Sequence, residues 1–204
     1  MKRHLLPALL LPLLAAPAVG APISEDICTF LLHEAMFDRE DQALEVQLAL
    51  TRRGAAEDIF KMLDGLWRND ALPRMVHLRG KYDQDIARLE VTRQQILLRR
   101  QEAIVEFFRS LCSSPESGAG DGLPDGYLQA DCDARGIAAE IAAVELAFRE
   151  TLLESYRDLR REDVASASDV ILQERDVELA RASREDLAGR HARCRAALSP
   201  APPP

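Results

Sequence analysis

The chain has 204 residues, with 26 basic side chains against 34 acidic ones, and its net charge at pH 7 is -8. Nucleic acids and anionic membrane surfaces attract basic proteins, so an acidic chain is a poor candidate for binding either one. We therefore expect no nucleic-acid partner. The length fits one domain with a buried core of its own.

Residues 1–21 have the composition of a secretory signal peptide. Lys2 and Arg3 precede an apolar run over residues 5–19, and small residues follow it, which is the order of an export signal. An uncleaved membrane anchor is the alternative, but the run is short for a bilayer span and contains three prolines. No later stretch is long and apolar enough to cross a membrane. We therefore expect a periplasmic or secreted protein without a membrane span after signal cleavage.

Residues 22–198 predict a single helical domain. A first helix is predicted over residues 24–53, where Arg52, Arg53 and Gly54 form a stop signal. A shorter helix follows over residues 55–67. Both helices have an apolar face that we expect to point inward, formed by Ile27, Phe30, Leu31, Phe37, Leu44 and Leu48 in the first and by Ile59, Phe60, Leu63, Leu66 and Trp67 in the second.

Two long amphipathic segments, over residues 73–112 and from about residue 133 to 159, have apolar residues at three- and four-residue steps. The Gly-, Pro- and Asp-rich loop 113–126 joins them, so they are expected to form a long antiparallel hairpin. We find no strand pattern and no second domain. The predicted fold is an all-α, elongated antiparallel helical bundle with a long central hairpin, stapled by two disulfides.

The last predicted helix runs to about residue 197, with Ser168 or Asp169 near its N-cap. Its apolar residues form a narrow stripe, which suits packing on one neighbour in the same bundle or a coiled-coil contact with another chain. Residues 199–204 are expected to be a disordered Pro-rich tail. The candidate contact row consists of Leu172, Leu179 and Leu187.

The four cysteines, Cys28, Cys112, Cys132 and Cys194, are an even set in an oxidising compartment, which predicts two disulfides. Three pairings are possible, and the spacing favours one. A Cys112–Cys132 bond would close the tip loop of the hairpin and stabilise the fold by about 3 kcal/mol, and elimination then pairs Cys28 with Cys194. The C-x-x-C motif of zinc or redox sites does not occur in the sequence.

No catalytic motif is recognisable. His33 and Glu34 do not extend into the H-E-x-x-H of metalloproteases, no serine lies in a G-x-S-x-G turn, and the glycines of residues 118–122 lack the G-K-[ST] of a phosphate loop. A site assembled from distant residues would leave no such motif. We expect a protein that is not an enzyme.

Two metal sites are weak alternatives to a protein without cofactors. His33 and Met36 lie one turn apart, and together with Met75 and His77 they could bind copper or a non-covalent haem. Methionine at helical spacing is more often core filler. Calcium at the acidic tip is less expected still, because the spacing of its carboxylates matches no EF-hand loop. These carboxylates are Glu116, Asp121, Asp125, Asp131 and Asp133.

The sequence therefore favours a non-catalytic, exported helical protein that acts by binding another exported or envelope protein, or by self-association. Such a protein could be an accessory subunit, an inhibitor or a chaperone-like factor. Helix-in-groove or coiled-coil contact would be the mechanism. The alternative is a periplasmic metal- or haem-binding helical bundle.

Overall fold

The computed structural model describes residues 25–113 and 125–199, and in these two stretches every regular element is an α-helix. Helix α1 spans Glu25–Arg68, α2 spans Arg74–Ser113, α3 spans Asp125–Arg161 and α4 spans Ala167–Leu198. The predicted all-α class and the long antiparallel helices are confirmed. The predicted signal peptide, the tip loop between α2 and α3 and the tail beyond Ser199 lie outside the described residues.

The four antiparallel helices form a row in chain order. Helix α1 packs on α2, α2 on α3, and α3 on α4, whereas no packing joins α1 to α3 or α4, or α2 to α4, within residues 25–113 and 125–199. Each inner helix therefore has two neighbours, and each of the edge helices, α1 and α4, has one. An open row of this kind leaves the outer faces of both edge helices uncovered by the chain itself.

The buried core is correspondingly thin and rich in small residues. Between α3 and α4 it consists of Leu146, Leu153, Val177 and Ala180, and between α2 and α3 it consists of Ile96, Ala130 and Ala134. Between α1 and α2, close approach is allowed by Gly80, where an added Cβ would collide with a terminal methyl of Leu63. Small residues at the contact let long helices pack closely along their whole length.

The predicted break at Gly54 is wrong, since α1 is continuous from Glu25 to Arg68. A glycine ends a helix by adopting a left-handed conformation, and no positive φ occurs at Gly54. Its cost inside a helix is about 1 kcal/mol relative to alanine, which packing along α2 outweighs. Helix α1 ends at Arg68, and the chain turns at Asp70, whose φ is 54°, where the Ala71 amide donates to the Leu66 carbonyl at 2.9 Å.

Two helix starts also differ from the prediction. Helix α3 begins at Asp125, eight residues before the predicted start at about residue 133. The N-cap of α4 is Ser166 rather than Ser168 or Asp169. The Asp169 amide donates to the Ser166 hydroxyl at 3.2 Å, and the Ser166 amide donates back to the Asp169 carboxylate at 2.9 Å. Asp169 is therefore the reciprocal partner in a capping box and not the cap itself.

The predicted disulfide pairing is wrong, although all four cysteines are bonded. Cys28 pairs with Cys112 and Cys132 pairs with Cys194, and the Cα atoms in each pair are 5.6 Å apart. All four cysteines lie at one end of the row, because α1 and α3 begin there and α2 and α4 end there. A Cys28–Cys194 bond would require the two edge helices to meet. Each disulfide instead ties the open end of one hairpin, α1–α2 or α3–α4, and the loop between α2 and α3 is not stapled.

Candidate functional site: the outer face of the first helix

The most distinctive surface of the described residues is an apolar stripe along α1. Its members are between 40% and 66% exposed. Their spacing of three, four, seven or eleven residues places all of them on one face of the helix. We call this set the α1 stripe: Phe30, Phe37, Leu44, Leu48, Ile59, Met62 and Leu66.

The α1 stripe points away from α2. The face of α1 that meets α2 carries smaller buried residues, namely Cys28, Ala35, Val46 and Ala49. The prediction that the large apolar residues of this segment point inward is therefore wrong for six members of the stripe, namely Phe30, Phe37, Leu44, Leu48, Ile59 and Leu66. In the sequence, Cys28 indicates which face of this helix points toward its neighbour. A bonded cysteine must face its partner helix, and Phe30 and Phe37 lie on the other side of α1 from Cys28.

The α1 stripe is large for a surface feature of a soluble protein. A fully exposed large apolar side chain offers on the order of 200 Å², so the fractional exposures correspond to roughly 700 Å² on one helix. Soluble monomers rarely expose a contiguous apolar patch larger than a few hundred Å², and larger patches mark interaction sites. The size of the α1 stripe therefore identifies it as the candidate interaction surface.

Charge is distributed unevenly along α1. Residues 25–45 carry seven acidic side chains and one basic one, whereas residues 46–68 carry three acidic and four basic side chains. Three of the charged residues that interrupt the stripe, Glu34, Asp41 and Arg52, have no ion-pair partner among the described residues. Helix α1 thus has an acidic N-terminal half and a weakly basic C-terminal half.

The crowding of carboxylates in the acidic half affects Asp38. Partial burial raises the pKa of Asp38 above its usual value, and repulsion by Glu34 and Asp41 raises it further. The fold therefore concentrates negative charge beside the α1 stripe, where Arg39 pairs with Glu40 and leaves the carboxylates around Asp38 uncompensated among the described residues.

The predicted contact row on α4 is only partly exposed. Leu172 and Leu179 are 56% and 59% exposed, while Leu187 is half-buried. The inner face of α4 carries Val177 and Ala180, which pack on α3. The exposed part of the row is therefore shorter than the α1 stripe, and it occupies the first half of α4.

The four residues of the alternative copper or haem site do not come together. His33 and Met36 lie near the start of α1, whereas Met75 and His77 lie at the start of α2, beyond the turn that follows Arg68. At 1.5 Å per residue, the two pairs are separated by roughly 50 Å along the hairpin. One site containing all four residues is excluded by this geometry.

His77 has a structural environment at the α1–α2 turn. Its Nε2 lies 3.2 Å from Asp64 Oδ1, and its ring stacks on Trp67 with the centroids 5.3 Å apart. Phe60 lies on the same ring at 5.4 Å. These contacts join the end of α1 to the start of α2, so His77 helps to hold the turn.

The acidic tip is engaged by neighbouring side chains where it is described. Arg100 donates to Asp131 at 3.1 Å and Arg135 donates to it at 2.8 Å, while Gln129 donates to Asp133 at 2.8 Å. Asp125 opens α3, and Glu116 and Asp121 lie outside the described residues. In the part of the chain that the structure covers, no three His, Cys, Asp or Glu side chains are arranged to hold a metal ion.

A polar network joins the two hairpins at the centre of the row. Tyr82 on α2 donates its hydroxyl to Glu145 on α3, and Arg149 donates to Glu145 at 2.8 Å and to Asp176 on α4 at 3.1 Å. The Tyr82 ring stacks on Phe148 with the centroids 4.5 Å apart. The network therefore ties α2, α3 and α4 together.

The same contacts shift two ionisation equilibria. Partial burial and the hydrogen bond to Glu145 raise the pKa of Tyr82 to about 12. Burial alone would raise the pKa of Glu145, but hydrogen bonds from Tyr82 and Arg149 outweigh it, so the pKa of Glu145 falls below its usual value. A tyrosine that stays protonated and a carboxylate that stays charged suit a structural junction, and neither residue belongs to a recognisable sequence motif.

A shallow groove lies between α1 and α2 near the stripe. It offers carboxylates, one arginine and an amide to solvent, without the paired nucleophile and base of acyl-transfer sites. It is lined by Glu45, Ala49, Arg52, Asp83, Ile86, Ala87, Glu90 and Gln94.

Across residues 25–113 and 125–199, none of the helices combines the length and the apolar character that a membrane crossing requires. No protein-family model, no curated protein and no solved structure matches the chain.

Proposed function

We propose that this chain is an exported, non-catalytic helical protein that acts by binding a protein chain through the α1 stripe. The observation that carries the proposal is the stripe itself, since a row of large apolar side chains along a 44-residue helix has no covering element in the described residues. Exposure of that much apolar surface to water is unfavourable by about 25 cal/mol per Å². Covering it with a second helix removes this cost.

The mode of binding follows from the shape of the surface. A straight apolar stripe on one long helix suits another amphipathic helix, which would pack side by side with α1. An accessory subunit, an inhibitor or a chaperone-like factor could each act in this way. The predicted contact row on α4 becomes the secondary choice, because Leu187 is half-buried and the exposed remainder is short.

An oxidising compartment, such as the bacterial periplasm, is part of the proposal. All four cysteines are bonded in two disulfides, and disulfides persist in exported proteins and are rare in the cytosol. The signal-like composition of residues 1–21 supports the same location.

Site-specific photo-crosslinking in the producing cell tests the proposal. Phe37 or Met62 in the stripe is replaced by the photo-reactive residue p-benzoylphenylalanine, and Leu179 of α4 is the matched control, because Leu179 and Met62 are 59% and 58% exposed. We expect protein adducts from both stripe positions and none from Leu179. A further Leu48→Glu change, which places a charge in the stripe, should remove the adducts while the helical circular dichroism stays unchanged.

The result that would overturn the proposal is equally concrete. Adducts from Leu179 alone would move the interface to the α4 row. No adduct from any of the three positions would remove protein binding by either edge helix.

A further inference from the structure

Taking the α1 stripe as the binding surface proposed above, we infer that its occupant is a second copy of this chain, with the two α1 helices packed antiparallel about a twofold axis at Leu48.

The first argument is the symmetry of the stripe. Leu48 lies midway in sequence between Phe30 and Leu66, and Phe37 and Ile59 are equally far from it on either side. In an antiparallel pair centred on Leu48, Phe30 therefore faces Leu66 of the second copy, and Phe37 faces Ile59. A twofold interface requires a surface that is complementary to itself in this way. Five of the seven stripe residues then meet another stripe residue, whereas Met62 faces Glu34 and Leu44 faces Arg52 of the second copy.

The second argument is charge. Antiparallel packing sets the acidic half of one α1, residues 25–45, against the weakly basic half of the other, residues 46–68. Parallel packing would set seven acidic side chains against seven. Near the axis, Glu45 comes within one residue of facing Arg52 of the second copy, and neither side chain has an ion-pair partner among the described residues. Opposite charges that flank a helix pair fix its orientation and register.

The third argument is size. The stripe offers roughly 700 Å² per chain, which is close to the roughly 800 Å² that each partner buries in a stable interface of standard size. Helix α4 of a second copy is a poorer match, because its exposed large apolar residues, Ile171, Leu172 and Leu179, cover only a short part of its length.

Cysteine crosslinking of the purified oxidised protein tests both the pairing and its direction. All cysteines of the described residues are already bonded, so one added thiol reports on its own position. In the antiparallel dimer, Leu48→Cys should give a disulfide-linked dimer, whereas Phe37→Cys should not, because the two copies of residue 37 lie far apart. Phe37→Cys combined with Ile59→Cys should crosslink. Leu179→Cys on α4 is the matched control and should stay monomeric in denaturing gels.

Sedimentation equilibrium measures the strength of the pairing. We expect the unmodified protein to be dimeric at micromolar concentration. Leu48→Glu places two like charges at the axis and should raise the dissociation constant by roughly a hundredfold or more. Arg52→Glu should weaken the dimer as well, and adding Glu45→Arg to it should restore the affinity, because the two charges are exchanged rather than lost.

The outcomes separate this inference from the proposed function. Crosslinking of Phe37→Cys to itself would show parallel packing and overturn the antiparallel arrangement. A monomer by sedimentation whose stripe positions still photo-crosslink to a different protein would overturn self-pairing and leave the proposed function standing. A monomer that forms no photo-crosslinks would remove both.

Discussion

The two edge helices of the row differ in the polarity of the surface that they expose to solvent. Helix α1 exposes the stripe from Phe30 to Leu66, whereas α4 exposes mostly polar residues. Ion pairs connect α4 to α3. Arg157 donates to Glu174 at 2.7 Å, and Arg181 donates to Glu150 at 3.1 Å. Helix α4 is thus a solvated edge.

The difference shows that the two edges of an open row can differ in polarity, one being mostly polar and the other largely apolar. Each edge helix has one neighbour, so each buries only one face. Helix α4 satisfies its remaining surface with charges that pair across to α3, although such exposed pairs contribute little stability individually. Helix α1 carries the seven residues of the α1 stripe on the side opposite to α2, although Phe60 and Leu63 pack toward α2. Helices α1 and α4 therefore differ in their outward faces rather than in the number of neighbours on which they pack.

The largest effect should come from removing the hairpin staples one at a time. Cys28→Ser with Cys112→Ser opens a loop of 84 residues, and Cys132→Ser with Cys194→Ser opens one of 62. Each loss should lower the free energy of unfolding by about 2–4 kcal/mol, because the unfolded chain regains loop entropy. Urea unfolding of the oxidised variants measures both losses.

Hydrogen exchange should then separate the two hairpins. Without Cys28–Cys112, the amides at the start of α1 should exchange faster, because the buried residues there are as small as Ala35. Without Cys132–Cys194, the amides in the second half of α4 should exchange faster, while the amides near the Leu146–Val177 contact stay protected. Equal protection at the start of α1 with and without its staple would mean that another contact, such as a second copy on the stripe, holds that segment.

An intermediate effect is expected where the two hairpins join. The pKa of Tyr82 is raised from 10.0 to about 12, so the fold favours the neutral phenol. The corresponding stability is fully present below pH 10 and is lost as the pH rises through 12. Tyr82→Phe should remove this alkaline loss and should lower stability near neutral pH by about 1 kcal/mol, since Glu145 loses a hydrogen bond.

The control for the junction is Tyr156→Phe on α3, because the Tyr156 hydroxyl has no hydrogen-bond partner among the described residues. Thermal unfolding followed by circular dichroism between pH 8 and pH 12 compares the three proteins, a range that spans both pKa values of Tyr82. If Tyr156→Phe removed the alkaline loss as completely as Tyr82→Phe, the junction would not be its source.

The fold class followed from the sequence because it depends on local periodicity. The three- and four-residue steps within residues 74–113 and 125–161 reflect the geometry of a helix wherever it lies. The orientation of α1 did not follow from its periodicity. The strongest apolar face of a helix is inward only when the chain itself covers it, and Phe30 and Phe37 show that it does not.

The disulfide pairing failed for a related reason. The position of Cys112 and Cys132 at one end of the row was predictable from the helix boundaries, but the choice of partner depends on which helices are adjacent. A closed bundle brings α1 beside α4, and an open row does not. Sequence spacing is the same in both arrangements. The junction of Tyr82 with Glu145 was not predicted, because a contact between two residues that are 63 positions apart leaves no local pattern in the sequence.

The smallest effect on stability is expected from replacing a single glycine by alanine in each hairpin. An added Cβ at Gly54 in α1 meets no atom within 4 Å, whereas at Gly136 in α3 it would lie 3.2 Å from the His191 ring of α4. Gly54→Ala should therefore raise the free energy of unfolding by about 0.5–1 kcal/mol. Gly136→Ala should gain less or lose stability, because the ring must shift. Urea midpoints measure both changes. A loss at Gly54 would mean that α1 needs its glycine there, as a bend in the helix would require, and the open space around the added Cβ would then not be what decides stability at this position.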